Sequence, residues 1–333
     1  MDAVEKAFAL FAEGKAPTPK VLAVHAENGG FHIKAGILGL DRNYFVAKLN
    51  ANFPCNPKQN NLPTIQGVIA VCDANNGQLL ALMDSIEITI IRTGAATGIA
   101  AKYLAHANAN VVTICGCGNQ GKISLKALMK VRKLEKIFAY DIDRGQIGKF
   151  VEEFGKEITI IPTYLNNLSE ALSQSQIVVT CTTSKEPFIE AKNIKPGTFI
   201  AAVGADSEEK QELFPDLVAS SKIVVDIAEQ CAGFGEVHHA IQQNLINVED
   251  IHAELGFIIT GKKPGRELES ETIIFDSTGM ALQDVAAAAI VYEKAMQTGI
   301  GQKLILGLQE SEYTVLKKKA KDIKSLKLWA PFK

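Results

Sequence analysis

Residues 111–122 read VVTICGCGNQGK, and this stretch decides the fold. An apolar run rich in β-branched residues breaks into Gly116, Gly118 and Gly121, then resumes at helical spacing, the pattern of a strand, a tight turn and a helix. Gly116 permits the sharp turn, Gly118 lets a pyrophosphate approach the backbone, and Gly121 lets the helix pack closely on the strand. The free amides at the helix start then face an anion. The pattern predicts a dinucleotide-binding turn.

The flanking sequence supports that reading. Residues 136–143, KIFAYDID, predict a second strand ending in Asp141, 20 residues past Gly121. A carboxylate at that position accepts bonds from both ribose hydroxyls and repels a 2′-phosphate, so NAD is favoured over NADP. Asp143 and Arg144 beside it keep NADP open, and the competing reading of Asp141 is an ordinary strand-end acid. Further apolar runs near residues 158–162, 177–181, 199–203, 222–226 and 272–276 alternate with helical patterns. A doubly wound parallel sheet accounts for that rhythm.

Upstream the pattern differs. Residues 3–13 have apolar groups at helical spacing and stop at Gly14. Residues 21–84 form short alternating runs punctuated by Asn- and Gly-rich turns, which predict an antiparallel sheet. Helices are expected at 86–106 and, alanine-rich, at 282–297. The predicted fold class is therefore α/β: a Rossmann dinucleotide-binding domain at 108–281 and a split α+β substrate and dimerisation domain at 1–107 and 282–333.

Composition sets the wider bounds. The 333 residues are 47% hydrophobic with a formal net charge of −2, which supports sizeable cores and supplies no overall attraction for nucleic acid or an anionic membrane. The basic stretch 316–333 reads as a solvated helix face. No run approaches the roughly 18 apolar residues of a membrane span, and no signal-peptide pattern opens the chain, so the expected location is cytoplasmic. Six cysteines in a chain of this length are no disulfide framework. Cys115 and Cys117 read as small strand-end residues, and the six histidines show no metal-ligand spacing, so no metal is expected.

Three charged residues stand out against their surroundings. Lys48 lies in an alternating run that puts it on the face of Tyr44 and Val46, though a solvated position fits the periodicity equally well. Arg92 sits amid small and apolar residues, where a guanidinium needs an anionic partner or an exit to water. Asp206 follows a buried strand, at the carboxyl end of the sheet where ligands of such folds collect; a plain loop cap is the alternative.

Residues 89–105 (TIIRTGAATGIAAKYLA), the glycine turn, residues 202–213 (AVGADSEEKQEL) and residues 275–289 (FDSTGMALQDVAAAA) together resemble the ornithine cyclodeaminase and mu-crystallin family over nearly the whole chain. The resemblance implies Asp206 as the proton-handling acid/base and Lys48 and Arg92 as holders of a substrate carboxylate, Arg92 also lying close to the cofactor. It implies that Thr64, Asn119, Gln120, Asp141, Thr182, Val203, Lys210 and Ser277 line the dinucleotide and that Thr278 faces the substrate. A homodimer is implied as well, together with a leading segment that joins the dimer domain and that this chain's start lacks. The activities implied are NAD(P)H-dependent reduction of a small imino acid, such as Δ1-pyrroline-2-carboxylate to proline, or reversible dehydrogenation of an amino acid such as alanine. The alternatives are ornithine cyclodeamination with bound NAD and a crystallin-like binder with little turnover.

Two departures from the family pattern bear on the substrate. Lys20 is the nearest substitute for an arginine that many members carry ahead of the first strands, and a lysine lacks the bidentate clamp. Where the cyclodeaminases have a glutamate for the distal ammonium, this chain has His32 and Lys34. Lys34 in that pocket repels a second ammonium and suits a carboxylate or a neutral cyclic imine, which disfavours ornithine.

Overall fold

A computed structural model describes residues 1–302; the stretch 316–333 and the end of the second segment expected at 282–333 lie outside the described residues. After a helix at Asp2–Ala12 come five antiparallel strands: β1 (Lys20–Ala26), β2 (Gly29–Gly39), β3 (Asn43–Asn52), β4 (Ile65–Asp73) and β5 (Leu79–Asp84). They pair in simple sequential order. Their register puts Lys34 of β2 directly across from Lys48 of β3, and Lys48 across from Ile69 of β4. Strand alternation then gathers Tyr44, Val46, Lys48, Lys34, Ile69 and Val71 on one buried face.

The helix Ile86–Leu104 leads into eight parallel strands: β6 (Val111–Cys115), β7 (Lys136–Tyr140), β8 (Thr159–Thr163), β9 (Ile177–Thr180), β10 (Phe199–Ala202), β11 (Lys222–Val225), β12 (Ala253–Glu254) and β13 (Ile273–Asp276). Their order is β12-β11-β13-β10-β9-β6-β7-β8. The chain turns back at β6, with β7 and β8 on one side and β9 and β10 on the other, and such a switch point opens a crevice at the carboxyl edge. β9, β10 and β13 are buried along their whole length, as expected of strands covered on both faces. The six parallel runs expected after the first all occur as strands. β12 was not expected, because two residues carry no period.

The helix Ile86–Leu104 packs on the helix Asn119–Val131, on β10 and on β4. Met1–Tyr292 forms one compact unit that contains both sheets. The helix Ala281–Thr298 begins directly after the Ser277–Gly279 loop. A Cβ on Gly36 of β2 would meet Leu282 at 2.9 Å, so the helix start lies close against the sheet face that carries Lys34 and Lys48.

Candidate active site

The carboxyl edge of the parallel sheet delivers the site. Gly116 follows β6, Asp141 follows β7, Thr182 follows β9, Asp206 follows β10 and Ser277 follows β13. Gly116 has φ +106°, which a side chain rarely tolerates, and a Cβ there would also press on the Cys181 backbone at 2.9 Å. A Cβ on Gly118 would meet nothing within 4 Å, so the backbone there is open to a close ligand. Gly118 is the N-cap of the helix Asn119–Val131 and no side chain caps it, leaving the first amides for an anion. Asp141 is anchored at the tip of β7, its Oδ2 accepting from the Cys117 amide at 2.8 Å and its Oδ1 from the Asp143 amide at 2.9 Å. Burial pushes the Cys117 thiol up to about 12, with the Asp141 carboxylate adding to the effect, so this cysteine stays a thiol at neutral pH.

A cavity of about 170 Å³ lies where the two sheets face each other, lined by residues that include Lys34, Lys48, Arg92, Gln120, Thr182 and Asp206. Val203, Lys210, Ser277 and Thr278 also line it. Of the expected set, Lys20, Thr64, Gly116, Gly118, Asn119, Gly121 and Asp141 stay outside this lining. Thr64 precedes β4 and its carbonyl accepts from the Phe53 amide at 2.8 Å. Lys20 is exposed at the start of β1, opposite Ala35; alternation therefore turns it to the sheet face away from Lys34. Asn119 is exposed at the helix start, while the buried Gln120 Oε1 has no hydrogen-bond partner.

The cations meet at a residue that periodicity did not single out. Asp284, in the first turn of the helix Ala281–Thr298, ion-pairs with Lys48 Nζ at 2.7 Å through Oδ2 and with Arg92 Nε at 3.1 Å through Oδ1. Arg92 Nη1 also donates to Gln283 Oε1 at 3.0 Å. All three charged groups are buried. Burial pushes the Lys48 ammonium down to about 7; Asp284 works against this shift, and Arg92 and Lys34 add to it. Lys34 Nζ donates to the carbonyls of Thr278 at 2.8 Å and Gly279 at 3.0 Å. Gly279, at φ +89°, lets the loop come against the Arg92 guanidinium, which a Cβ would strike.

Asp206 stands on the opposite wall, half-buried and ion-paired with Lys210 at 2.5 Å. Burial pushes its carboxyl up, but the Lys210 ammonium, by charge and by hydrogen bond, with Lys34 and His32 further off, holds it down to about 2. At neutral pH it is an anion.

A second group of acids escaped the sequence reading and braces the loops of this edge. Asp226 accepts from the Ser277 hydroxyl at 3.0 Å and from the amides of Gly279 at 2.7 Å and Met280 at 3.1 Å. Glu212 Oε1 accepts from the Thr182 amide at 2.6 Å, and Glu236 accepts from the amides of Glu212 and Leu213. Asp276 Oδ2 accepts from the Val237 amide at 3.0 Å. Burial is the main cause that pushes Asp276 up to about 8 from an ordinary 3.8, with Asp226 and Glu212 adding to it against the amide bonds.

Between about pH 4 and pH 8 the folded protein thus keeps a proton that the unfolded chain has released. Stability from this group is present below pH 4 and is lost as pH rises to 8. Asp276→Asn removes that slope, so the melting temperature of the variant minus that of the parent is expected to climb by several degrees from pH 5 to pH 8. A difference that stays constant in thermal unfolding across that range would mean that Asp276 is ionised throughout.

The chain is similar in sequence and fold to known proteins. The ornithine cyclodeaminase/mu-crystallin family profile matches residues 1–299. The alanine dehydrogenase of Archaeoglobus fulgidus is 40% identical over 308 residues, 91% of this chain and 92% of that one. The iminosuccinate reductase of Paracoccus denitrificans is 32% identical over 314 residues, covering 91% and 93%. Among solved structures, an archaeal alanine dehydrogenase dimer with bound NAD superposes with a TM-score of 0.85 at 39% identity, covering 92% of this chain and 93% of that one. The Δ1-pyrroline-2-carboxylate reductase of Thermococcus litoralis, in complex with NADH and L-proline, gives 0.84 at 34% identity, covering 91% and 94%.

Proposed function

The chain belongs to the ornithine cyclodeaminase/mu-crystallin family, and on that premise we propose that it is an NAD(H)-dependent reductase of small imino acids that also runs in reverse as an amino-acid dehydrogenase. One observation carries the reading: buried Lys48 and Arg92 face ionised Asp206 across a cavity that lies beside an open glycine turn. Cations on one wall hold an α-carboxylate, and the carboxylate on the other receives the imine nitrogen. Orientation between these walls and preorganised charge supply the acceleration.

When bound, the nicotinamide supplies or accepts the hydride. Gly116, Gly118, Asn119, Gln120 and Gly121 form the turn for the pyrophosphate, Asp141 takes the ribose, and Thr182, Val203, Lys210 and Ser277 border the remainder. NAD is favoured over NADP because the anchored Asp141 carboxylate stands where a 2′-phosphate would have to sit. Asp206, ionised at any physiological pH, keeps the imine nitrogen in its protonated, electrophilic form and takes the proton back in the reverse direction. Lys48, held near 7, exchanges a proton readily at neutral pH.

Ornithine cyclodeamination is the less favoured reading. A distal ammonium would enter a cavity that already holds the buried Lys34, which among the described residues ion-pairs with no carboxylate. The deciding experiment supplies purified protein with NADH or NADPH and, in turn, Δ1-pyrroline-2-carboxylate, pyruvate with ammonium, and L-ornithine. Net NADH consumption with an imine or oxo acid is expected. Proline formed from ornithine with no net NADH change would make the cyclodeaminase reading correct instead.

The functional unit we propose is a homodimer. Leu22, Val24, Phe31, Leu49, Val68 and Leu82 share the outer face of the antiparallel sheet and are each at least 37% exposed. A patch of this kind calls for a covering surface, and a second copy of the same sheet supplies a self-complementary one. Leu82→Asp is expected to shift sedimentation velocity from dimer to monomer. An unchanged dimer would put the interface elsewhere.

A further inference from the structure

Asp226, the residue after β11, is buried and surrounded by donors. Its Oδ1 accepts from the Ile227 amide at 2.9 Å, the Cys231 thiol at 3.2 Å and the Thr278 hydroxyl at 3.3 Å. Its Oδ2 accepts from the Ser277 hydroxyl at 3.0 Å and from the amides of Gly279 at 2.7 Å and Met280 at 3.1 Å. The two amides belong to peptide units whose other ends are also occupied. The carbonyl of the unit joining Thr278 to Gly279 accepts from Lys34 Nζ at 2.8 Å, and that of the unit joining Gly279 to Met280 accepts from the same ammonium at 3.0 Å.

The N–H and C=O of a trans peptide unit point in opposite directions. Gly279, at φ +89°, lets two successive units align, the geometry by which backbone amides enclose an anion. A carboxylate, two peptide dipoles and an ammonium therefore stand in sequence, and hydrogen bonds in such a chain polarise one another in a low-dielectric interior. Among the described residues Lys34 ion-pairs with no carboxylate, so this chain is how its charge meets an acid at close range. Burial pushes the ammonium down and Arg92 adds to the shift; Asp206, Asp284 and Asp226 work against it. An ammonium offers three N–H groups. The carbonyls take two, which leaves one for the cavity that Lys34 lines.

Resting on the reductase reading above, we propose that Asp226 is a positioning residue for substrate binding: through the two peptide units it holds the Lys34 ammonium in place, so that the remaining N–H meets the imino acid. Asp226 does not itself touch the substrate. Its effect passes through Thr278, Gly279 and Met280 to Lys34, and that route separates it from an acid that only keeps a loop folded.

The full chain is assayed for NADH oxidation with Δ1-pyrroline-2-carboxylate and with pyruvate plus ammonium, in the parent, Asp226→Asn, Lys34→Met and the double variant. Asp226→Asn is expected to raise KM for the substrate roughly tenfold, while kcat and the NADH dissociation constant each change by less than about threefold, as when ground-state binding is lost. In the Lys34→Met background the same change is expected to cost less than about twofold, because the group through which it acts has gone. A brace that merely keeps the loop folded predicts equal losses in both backgrounds, together with weaker NADH binding through Ser277, and either result overturns the proposal. A substrate-free measurement needs only the single Lys34→Met change: in amide NMR spectra the Gly279 and Met280 protons are expected to move upfield as their hydrogen bonds to Asp226 lose polarisation. Resonances that stay in place overturn the link between Asp226 and Lys34. Absence of turnover in the parent with both substrates overturns the reductase reading and the substrate role of Asp226 with it, while the NMR spectra still decide whether Asp226 and Lys34 are linked.

Discussion

Asp206→Asn is expected to lower kcat for imine reduction by roughly 100- to 10,000-fold, the usual contribution of a positioned acid/base group, while NADH affinity changes by less than about threefold. The side chain is isosteric, so the wall of the cavity keeps its shape. What disappears is the anion. Asp206 is ionised because Lys210 sits 2.5 Å away and because Lys34 and His32 add to the positive field around it. A neutral amide cannot stabilise a protonated imine nitrogen or accept the proton in the reverse reaction, and it leaves Lys210 without its partner. Fluorescence titration with NADH separates binding from chemistry, and stopped-flow single turnovers separate the hydride step from product release. Turnover within a few-fold of the parent would remove Asp206 from the mechanism.

Asp284→Asn is expected to act on stability and on pH dependence together. Asp284 is the buried counter-charge between Lys48 and Arg92, and removing one partner of a buried ion pair costs about 3–5 kcal/mol because the remaining charges stay desolvated. A loss of that size lowers the melting temperature by roughly 4–7 °C in a chain of this length. The pH effect has a definite sign. Asp284 supports the charged form of Lys48, against burial and against Arg92 and Lys34. If charged Lys48 holds the substrate, kcat/KM declines as pH rises through about 7 in the parent. In the variant that decline is displaced to lower pH. A basic limb that does not move would separate Lys48 from Asp284 in function, whatever the stability shows.

Asp284 also marks where the sequence stops being informative. It lies inside residues 275–289, a block that carries the family resemblance, yet helical periodicity offered no reason to prefer it to any other acid in a first turn. Its importance comes from two partners 236 and 192 positions away in the chain. Asp226, Glu212 and Glu236 follow the same rule: each looks like a strand-end or loop acid in sequence, and each is buried beneath a loop whose amides it orders. Lys20 fails in the opposite direction. The resemblance points to it because it lies near the first strands, but cross-strand pairing with Ala35 puts it on the other face of the sheet, and a period of two makes a one-residue difference decisive.

By itself the sequence determined the elements that depend on neighbours along the chain. The strand, turn and helix at 111–122, the acid that closes β7, the rhythm of parallel strands and the alternation that set Lys48 with Tyr44 and Val46 all rest on periodicity and glycine geometry, which act over a few residues. Only the tertiary structure decided that Lys34 faces Lys48, that Asp284 stands between Lys48 and Arg92, and that Asp206 opposes them across one cavity. These relations depend on register, on the packing of the helices Ile86–Leu104 and Ala281–Thr298, and on burial, which together strengthen charge interactions between residues that the chain itself keeps far apart.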